Sequence, residues 1–361
     1  MKVAIGIGSW ATGSRSEWEQ TAQFAIGADR LGVDMCWSAE AWGQDSVAPL
    51  GFLAARTERI RLQAAIMQIS ARVPSMTAMT AMTLATLSDD RFVLGLGVSG
   101  PQVVEGLHGV SFADPVGRLT EYLDVIELAF RGEPLRYEGT HYLLPRPGGE
   151  AKALRLAQRA VRPIPIYLAT LAPRGLELTG SRADGWIGTC FVPEAASTFL
   201  EPIRRGAAKA GRDFNALDLQ AGGLVRFGDP ERMLPEIKQA IAFRIGAMGS
   251  RRHNFYNRAF QRAGFEEEAQ KIQSLWLDGE HEQAVAAVTD RMALLTAFCG
   301  TDEMIVERIQ AFARAGITTI RLDVAGETGD ARLAVVERFL DCMRTSHQNL
   351  KENGSFFMDH S

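Results

Sequence analysis

Two short segments in the middle of the chain have the composition of anion-binding turns. Residues 95–102 read GLGVSGPQ and residues 170–175 read TLAPRG, and each segment follows an apolar run. Glycine allows backbone N–H groups to approach an oxyanion, and the start of a following helix adds a favourable dipole. If the two turns lie side by side, they form a phosphate site. The same glycines would also suit tight turns without a ligand.

A carboxylate and an amide are placed where they could act on a bound ring. Glu40 lies between Trp37 and Trp42, directly after an apolar run, and Gln68 follows the next run. A carboxylate at such a position hydrogen-bonds a cofactor ring or transfers a proton. The alternatives are a helix-start carboxylate or a surface charge. Arg72 could bind an anion or form an ion pair between helices.

The remaining candidates give weaker signals. His108 lies in the segment EGLHG, and a lone histidine there is either catalytic or structural. His253 lies in the run RRHNFYN, at residues 251–257, which suits an anionic or aromatic ligand or a helix cap. No serine or cysteine nucleophile is paired with a histidine in the pattern of a hydrolase, and no Walker motif is present. The third glycine after Gly95 and Gly97 comes one position early for a nicotinamide fingerprint.

The elements that must position these residues alternate between strands and helices. Eight largely continuous apolar runs are typical of strands buried on both faces; they are residues 3–8, 33–37, 61–67, 92–98, 164–169, 185–190, 219–227 and 317–324. Amphipathic patterns between them predict helices, at 18–31, 48–55, 74–87, 115–130, 173–181, 193–210 and 302–315. The alternation predicts a (β/α)8 TIM barrel, with a doubly wound sheet as the alternative. Gly32 and Gly316 suit left-handed helix ends.

Two stretches exceed the minimal barrel unit. Residues 131–163 predict a strand pair around Glu138 and a polar loop, and residues 229–300 contain three or four helical patterns. Such insertions usually lie over the carboxyl ends of the strands. We therefore expect one domain over residues 1–345, followed by a polar C-terminal tail at 346–361.

Composition excludes several classes of protein. Hydrophobic residues make up 46% of the 361 residues and charged residues 23%, so the chain can bury a large core. The net charge of −4 argues against binding nucleic acid or an anionic membrane surface. The four cysteines are scattered, without metal-ligand spacing, so we expect no metal site and a reducing cytoplasm. No apolar run reaches the roughly 18 residues of a membrane span.

Taken together, the strand-end segments resemble a known family. The segments are RVPSMTAMTA at 72–81, LSDDRF at 87–92 and LGLGVSGPQVVEGLHG at 94–109. They are similar to the luciferase-like monooxygenase superfamily, and most similar to its deazaflavin-dependent branch. That branch includes methylenetetrahydromethanopterin reductase and F420-dependent glucose-6-phosphate dehydrogenase. The resemblance extends over nearly the whole chain, through residues 165–169, 183–186 and 254–256.

The resemblance implies a TIM barrel, usually a homodimer, that binds coenzyme F-420 (F420) or FMN with the ring in the barrel mouth. The phosphate would be bound by Gly97, Val98 and Ser99 on one turn and by Thr170, Leu171 and Ala172 on the other. A cis peptide bond between Ala65 and Ile66 would form a bulge behind the ring. Glu40 would contact the polar edge of the ring, with Gln68 beside it.

The chain departs from the glucose-6-phosphate enzyme at two positions. The acidic residue of its glycine loop is replaced by Gly100 or Pro101, and the histidine after the second-strand acid is replaced by Ala41. A sugar phosphate handled by that acid is therefore not expected, and the proton donor is Glu40, His108 or a group of the substrate.

Three hypotheses follow for the function. The first is an F-420-dependent oxidoreductase that transfers a hydride to or from a small organic substrate. The second is an FMN-dependent monooxygenase that uses reduced flavin and oxygen. The third is a protein that binds the cofactor or a partner without catalysis.

Overall fold

The structure is a computed structural model that describes residues 1–7 and 14–356 of the chain. Eight parallel strands form its centre, and each pairs with the next until the last pairs with the first. In order around the barrel they are β1 (Lys2–Gly6), β2 (Met35–Ser38), β3 (Arg61–Ala64), β5 (Phe92–Gly97), β8 (Ile166–Ala169), β9 (Gly185–Ile187), β10 (Asp218–Phe227) and β12 (Thr319–Val324). Because β12 pairs with β1, the sheet is closed. The prediction of a (β/α)8 barrel is confirmed, and the doubly wound alternative is wrong.

Four further strands lie outside this ring. β4 (Met67–Gln68) continues the line of β3 and pairs with β5, and β11 (Phe298–Gly300) pairs with the end of β10. β6 (Tyr137–Glu138) and β7 (Leu143–Leu144) form an antiparallel hairpin. β4 matters most for the site, because it carries Gln68 to the mouth of the barrel.

Helices surround the barrel and occupy the long connections. They are α1 (Arg15–Leu31), α2 (Val47–Ala54), α3 (Pro74–Leu87), α4 (Pro101–Gly106), α5 (Pro115–Phe130), α6 (Pro173–Arg182), α7 (Ser197–Lys209), α8 (Pro230–Gly246), α9 (Phe255–Arg262), α10 (Glu266–Leu277), α11 (His281–Ala286), α12 (Asp290–Leu295), α13 (Asp302–Arg314) and α14 (Gly329–Phe356). Gly32 ends α1 with φ of 82°, and Gly316 follows α13 with φ of 95°, so both are left-handed as predicted.

Strand residues alternate between two cores. In β5, Phe92, Leu94 and Leu96 belong to the large core between the sheet and the helices, whereas Val93 belongs to a small core inside the barrel. Glycines occupy the next two inner positions of this strand, Gly95 and Gly97. Side chains therefore fill the interior at the level of Val93, whereas β5 contributes none at the two inner positions above it.

A hydrogen-bonded carboxylate closes the lower end of the barrel. Asp218 accepts hydrogen bonds from the hydroxyls of Thr318 and Thr319, both at 2.6 Å, and from Tyr167 at 2.9 Å. Burial raises the pKa of Asp218, but the bonds from Thr318 and Thr319, together with the charge of Lys2 and a bond from Gln220, hold that pKa below its ordinary value. The carboxylate is thus charged and fully engaged, so it does not serve the mouth above it.

The structure adds elements that the sequence patterns did not predict. These are the short helix α4, the strand β11 and the 28-residue helix α14. The last extends through residues 346–356 of the predicted polar tail, and residues 357–361 lie outside the described part of the chain, as does Gly8 of the first predicted strand. Within the described part, no helix is both long and apolar enough to cross a membrane.

Candidate active site

In the upper wall of the barrel, the backbone of residues 64–66 lies very close to the backbone of β5. A Cβ atom on Gly95 would lie 1.9 Å from the carbonyl oxygen of Ala64, and one on Gly97 would lie 3.0 Å from Cγ1 of Ile66. Real side chains do not tolerate the first distance, so the segment from Ala64 to Ile66 packs here only because these positions are glycine. The glycine pair that the sequence suggested for phosphate approach therefore also has this packing role.

The same segment contains the predicted cis peptide bond, which the structure shows between Ala65 and Ile66. Its backbone is tied to the end of β2, since the amide of Ala65 donates to Ser38 O at 2.7 Å. The carbonyl of Ile66 accepts from the amide of Glu40 at 3.1 Å. Ala65, Ile66, Trp37 and Ala169 are half-buried and pack on the inner core. They form an apolar floor at the mouth.

Glu40 is held by partners on both carboxylate oxygens. Oε1 lies 2.6 Å from Nη1 of Arg72 and 3.3 Å from both the amide and the hydroxyl of Ser46, and Oε2 accepts from the amide of Gln68 at 3.1 Å. The Glu40 side chain is 7% exposed and the Arg72 side chain 20%. Arg72 thus forms an ion pair rather than an open anion site. Glu40 therefore connects the end of β2 to β4 through its carboxylate, and Arg72 balances its charge.

Gln68 links this pair to His108. Its Nε2 donates to the carbonyls of Glu40, at 3.3 Å, and Ala41, at 3.2 Å, which fixes the orientation of the amide. Its Oε1 lies 3.2 Å from Nε2 of His108. Since an amide oxygen only accepts, Nε2 of His108 carries the hydrogen, and Nδ1 is the nitrogen free to exchange a proton. Glu40, Gln68 and His108 are therefore joined in one chain of hydrogen bonds.

The two predicted turns are neighbours. Gly97 and Ala169 are register partners on the adjacent strands β5 and β8, so residues 98–99 and 170–172 leave the barrel side by side. Ser99 has φ of 60°, a left-handed conformation. Among the described residues, no acceptor takes a hydrogen bond from the backbone N–H of Val98, Ser99, Thr170, Leu171 or Ala172. Unpaired donors in two adjacent turns are what an oxyanion requires.

Other groups of these turns are already used. The hydroxyl of Thr170 lies 2.7 Å from that of Thr179, and its carbonyl accepts from the Trp186 indole at 2.9 Å. The carbonyl of Leu171 accepts from Nη2 of Arg262 at 2.6 Å. These bonds occupy the carbonyl groups of Thr170 and Leu171, so the N–H groups of the turn are what remains available to bind a ligand. Arg262 was not found by sequence reasoning, because it lies 91 residues away in an insertion helix.

The run around His253 has a structural role. The side chain of Asn254 accepts from the amide of Asn257 and caps α9, and its Nδ2 donates to Ile245 O at 2.6 Å. His253 itself is exposed and meets Phe112 edge-on, with ring centroids 6.5 Å apart. The helix-cap interpretation of this run is confirmed.

The described residues contain no candidate metal-binding site. No group of three or more histidine, cysteine, aspartate or glutamate side chains could hold an ion there. Cys36, Cys190, Cys299 and Cys342 are buried free thiols.

The chain is similar to the luciferase-like monooxygenase family and to proteins named for coenzyme F420. The model of the luciferase-like monooxygenase family matches residues 1–319. A Mycobacterium tuberculosis protein named as a coenzyme F420-dependent oxidoreductase is 32% identical over 327 residues, which cover 88% of this chain and 93% of that protein. The F420-dependent glucose-6-phosphate dehydrogenase of Nakamurella multipartita is 28% identical over 65% of this chain and 71% of its own.

The fold has a solved counterpart as well. The coenzyme F420-dependent tetrahydromethanopterin reductase of Methanopyrus kandleri superposes with a TM-score of 0.75 over 93% of this chain and 98% of that one. Its sequence identity is 22%, so this likeness concerns the fold.

The ion pair of Glu40 gives a stability prediction. Replacing Arg72 by Met leaves a nearly buried carboxylate without its cation, and we expect a loss of about 3 kcal/mol in the free energy of unfolding. Adding Glu40→Gln to this variant should restore at least half of the loss. Urea denaturation measures both values. The exposed Arg56–Glu19 pair is the control, since Arg56→Met should destabilise the protein clearly less than Arg72→Met. A loss for Arg72→Met no larger than that for Arg56→Met would contradict the assignment.

Proposed function

The chain belongs to the luciferase-like monooxygenase family, and from this premise we propose that it is a coenzyme F420-dependent oxidoreductase acting on a small organic substrate. One observation supports the choice most strongly: the named F420-dependent oxidoreductase of M. tuberculosis shares 32% of its residues over 88% of this chain. The proposal places the cofactor in the barrel mouth and assigns the reaction to hydride transfer.

The residues at the mouth fit such a cofactor. The N–H groups of residues 98–99 and 170–172, which are unpaired among the described residues, lie on two adjacent turns and could bind an anionic tail. The floor of Trp37, Ala65, Ile66 and Ala169 is apolar, and Gly97 adds no side chain above it, as a flat ring requires. When bound, the deazaflavin supplies the hydride chemistry, while the protein binds, orients and excludes water.

His108 is the better proton donor of the two predicted candidates. Both oxygens of Glu40 are committed to Arg72, Ser46 and Gln68, so neither is available to exchange a proton with a substrate. His108 is half-buried, is held by Gln68 through Nε2, and keeps Nδ1 for proton exchange. We assign Glu40 to positioning Gln68 at the edge of the ring, and His108 to moving the proton that accompanies the hydride.

Cofactor binding should depend on the backbone of Ser99 rather than on its hydroxyl. Valine is disfavoured at φ of 60° by about 1–2 kcal/mol, so Ser99→Val should shift the turn and weaken F420 binding about tenfold. Ser99→Gly keeps the conformation, and its affinity should stay within about threefold of the wild type. Quenching of F420 fluorescence measures both, with FMN titrated in parallel. Tight FMN binding without F420 binding would refute the proposed cofactor.

Loss of His108 should affect turnover rather than cofactor affinity. A positioned acid or base contributes about 10²–10⁴-fold, so His108→Gln should lower kcat by that order and leave the dissociation constant for F420 within about threefold. The assay follows F420 absorbance with any active member of a panel of carbonyl and alkene compounds. The exposed His347→Gln is the matched control and should keep full activity. An unchanged kcat in His108→Gln would assign the proton to another group.

We propose further that two copies assemble through α2 and α3. Met76, Met79 and Leu87 are 48%, 39% and 59% exposed on one face of α3, and Phe52 of α2 is 38% exposed. The helix α3 contains no charged residue, so a second copy can meet this face without repulsion.

One substitution in this face should separate the copies. We expect the wild type to sediment as two chains and Met79→Glu as one, because the interface would bury an unpaired carboxylate. Met304 has the same 39% exposure on another helix, so Met304→Glu should leave the dimer intact. A monomeric wild type would overturn the proposal.

A further inference from the structure

The side chain of Arg321 places a cation inside the barrel. In β12, Ile320 and Leu322 belong to the outer core, so the alternation of the strand turns Arg321 inward. Its guanidinium carbon lies 4.3 Å from the ring centroid of Trp37, which packs on the inner core. Arg321 therefore stands above the closed base at Asp218 and beside the floor of the mouth.

The described residues compensate the burial of this guanidinium only in part. Arg321 is 9% exposed, and its Nη1 is buried without a hydrogen-bond partner. Among the described residues it forms no hydrogen bond and no ion pair; its close contact is the face of Trp37. Burying an unpaired charge costs more free energy than a cation–π contact returns. Stability alone does not account for an arginine here.

The surrounding charges leave a positive excess. Burial lowers the pKa of Arg321 to about 10, so it remains charged at neutral pH, and the carboxylate of Asp323 partly offsets this effect. Asp323 also acts on Arg244 of α8, which hydrogen-bonds the thiol of Cys190. Burial raises the pKa of that thiol to about 11, so it is neutral. Among the described residues, the guanidinium groups of Arg321 and Arg244 therefore have only the carboxylate of Asp323, which is exposed, to balance their charges.

Two further side chains of the barrel strands have buried polar atoms without hydrogen-bond partners among the described residues. They are Trp37, through its indole N–H, and Gln63, through both polar atoms of its amide. Trp37 and Gln63 are register partners on β2 and β3. A guanidinium stacked on an aromatic ring keeps its N–H donors free in the plane of the group, which is the arrangement that binds a planar carboxylate through two hydrogen bonds.

We propose that the substrate carries a carboxylate, and that Arg321, supported by Trp37, binds it inside the barrel mouth. This inference rests on the proposed function, because it places the substrate beside the deazaflavin. It makes Arg321 the residue that selects anionic over neutral substrates. The cofactor tail is assigned to the turns at residues 98–99 and 170–172, on the strands β5 and β8, so the two anions occupy different sites.

The test uses the full-length protein saturated with F420, and compares benzoate with its neutral isostere benzamide. We expect the wild type to bind benzoate at least tenfold more tightly than benzamide, as measured by calorimetry and by quenching of tryptophan fluorescence. In Arg321→Gln this preference should fall to within twofold, and F420 affinity should stay within threefold. Arg321→Lys should keep part of the preference. Arg232→Gln, at an exposed arginine, should change neither value.

Several results would overturn the inference. These are no preference for benzoate in the wild type, the same preference retained in Arg321→Gln, or a tenfold loss of F420 affinity in that variant, which would assign the anion to the cofactor. Since no partner is lost, both variants should be at least as stable as the wild type. Failure of both to fold would show that the guanidinium is structural. A wild type that binds no F420 would instead refute the proposed function.

Discussion

The approach of one backbone segment onto two glycines determines the geometry of the mouth. Ala64 and Ile66 occupy the space that side chains on Gly95 and Gly97 would take. From this position the carbonyl of Ile66 binds the amide of Glu40, and the chain continues into β4, where Gln68 reaches both Glu40 and His108. The glycine strand that provides this space ends at Gly97, next to Ala169, and so leads directly into the two turns with unpaired N–H groups. A side chain at either glycine would disturb the floor, the polar edge and the turns together.

The charges around this mouth fall into two kinds. Asp218 and Glu40 are each satisfied by protein donors, so their role is to fix backbone and amide groups. Arg321 has no such donor or acceptor in the described part of the chain, and its burial is costly unless a ligand supplies the anion. Asp218 and Glu40 hold the backbone of the mouth in place, whereas Arg321 has donors that a ligand could use. This combination is expected of a binding site that is already in its binding geometry before the ligand arrives.

Much of the frame could be predicted from sequence because its signals are local. Continuous apolar runs between helical patterns locate the barrel strands, and Gly32 and Gly316 locate helix ends. Partners that lie far apart in sequence could not be found this way. Arg72 is 32 positions from Glu40, Arg262 reaches Leu171 from an insertion, and no local pattern shows that Arg321 lacks an anion. The first half of α14 does carry a helical signal, because Val336, Phe339 and Met343 recur at helical spacing and are buried; only its polar end at 346–356 gives little periodic signal. The helix packs on α1 and α13.

A crystal structure of the protein with coenzyme F420 would show whether the two turns bind the phosphate of the cofactor. We expect a phosphate oxygen within about 3 Å of backbone nitrogens in both turns, at residues 98–99 and at residues 170–172, with the ring against Ile66. A phosphate bound elsewhere, or a ring that does not enter the barrel mouth, would contradict it.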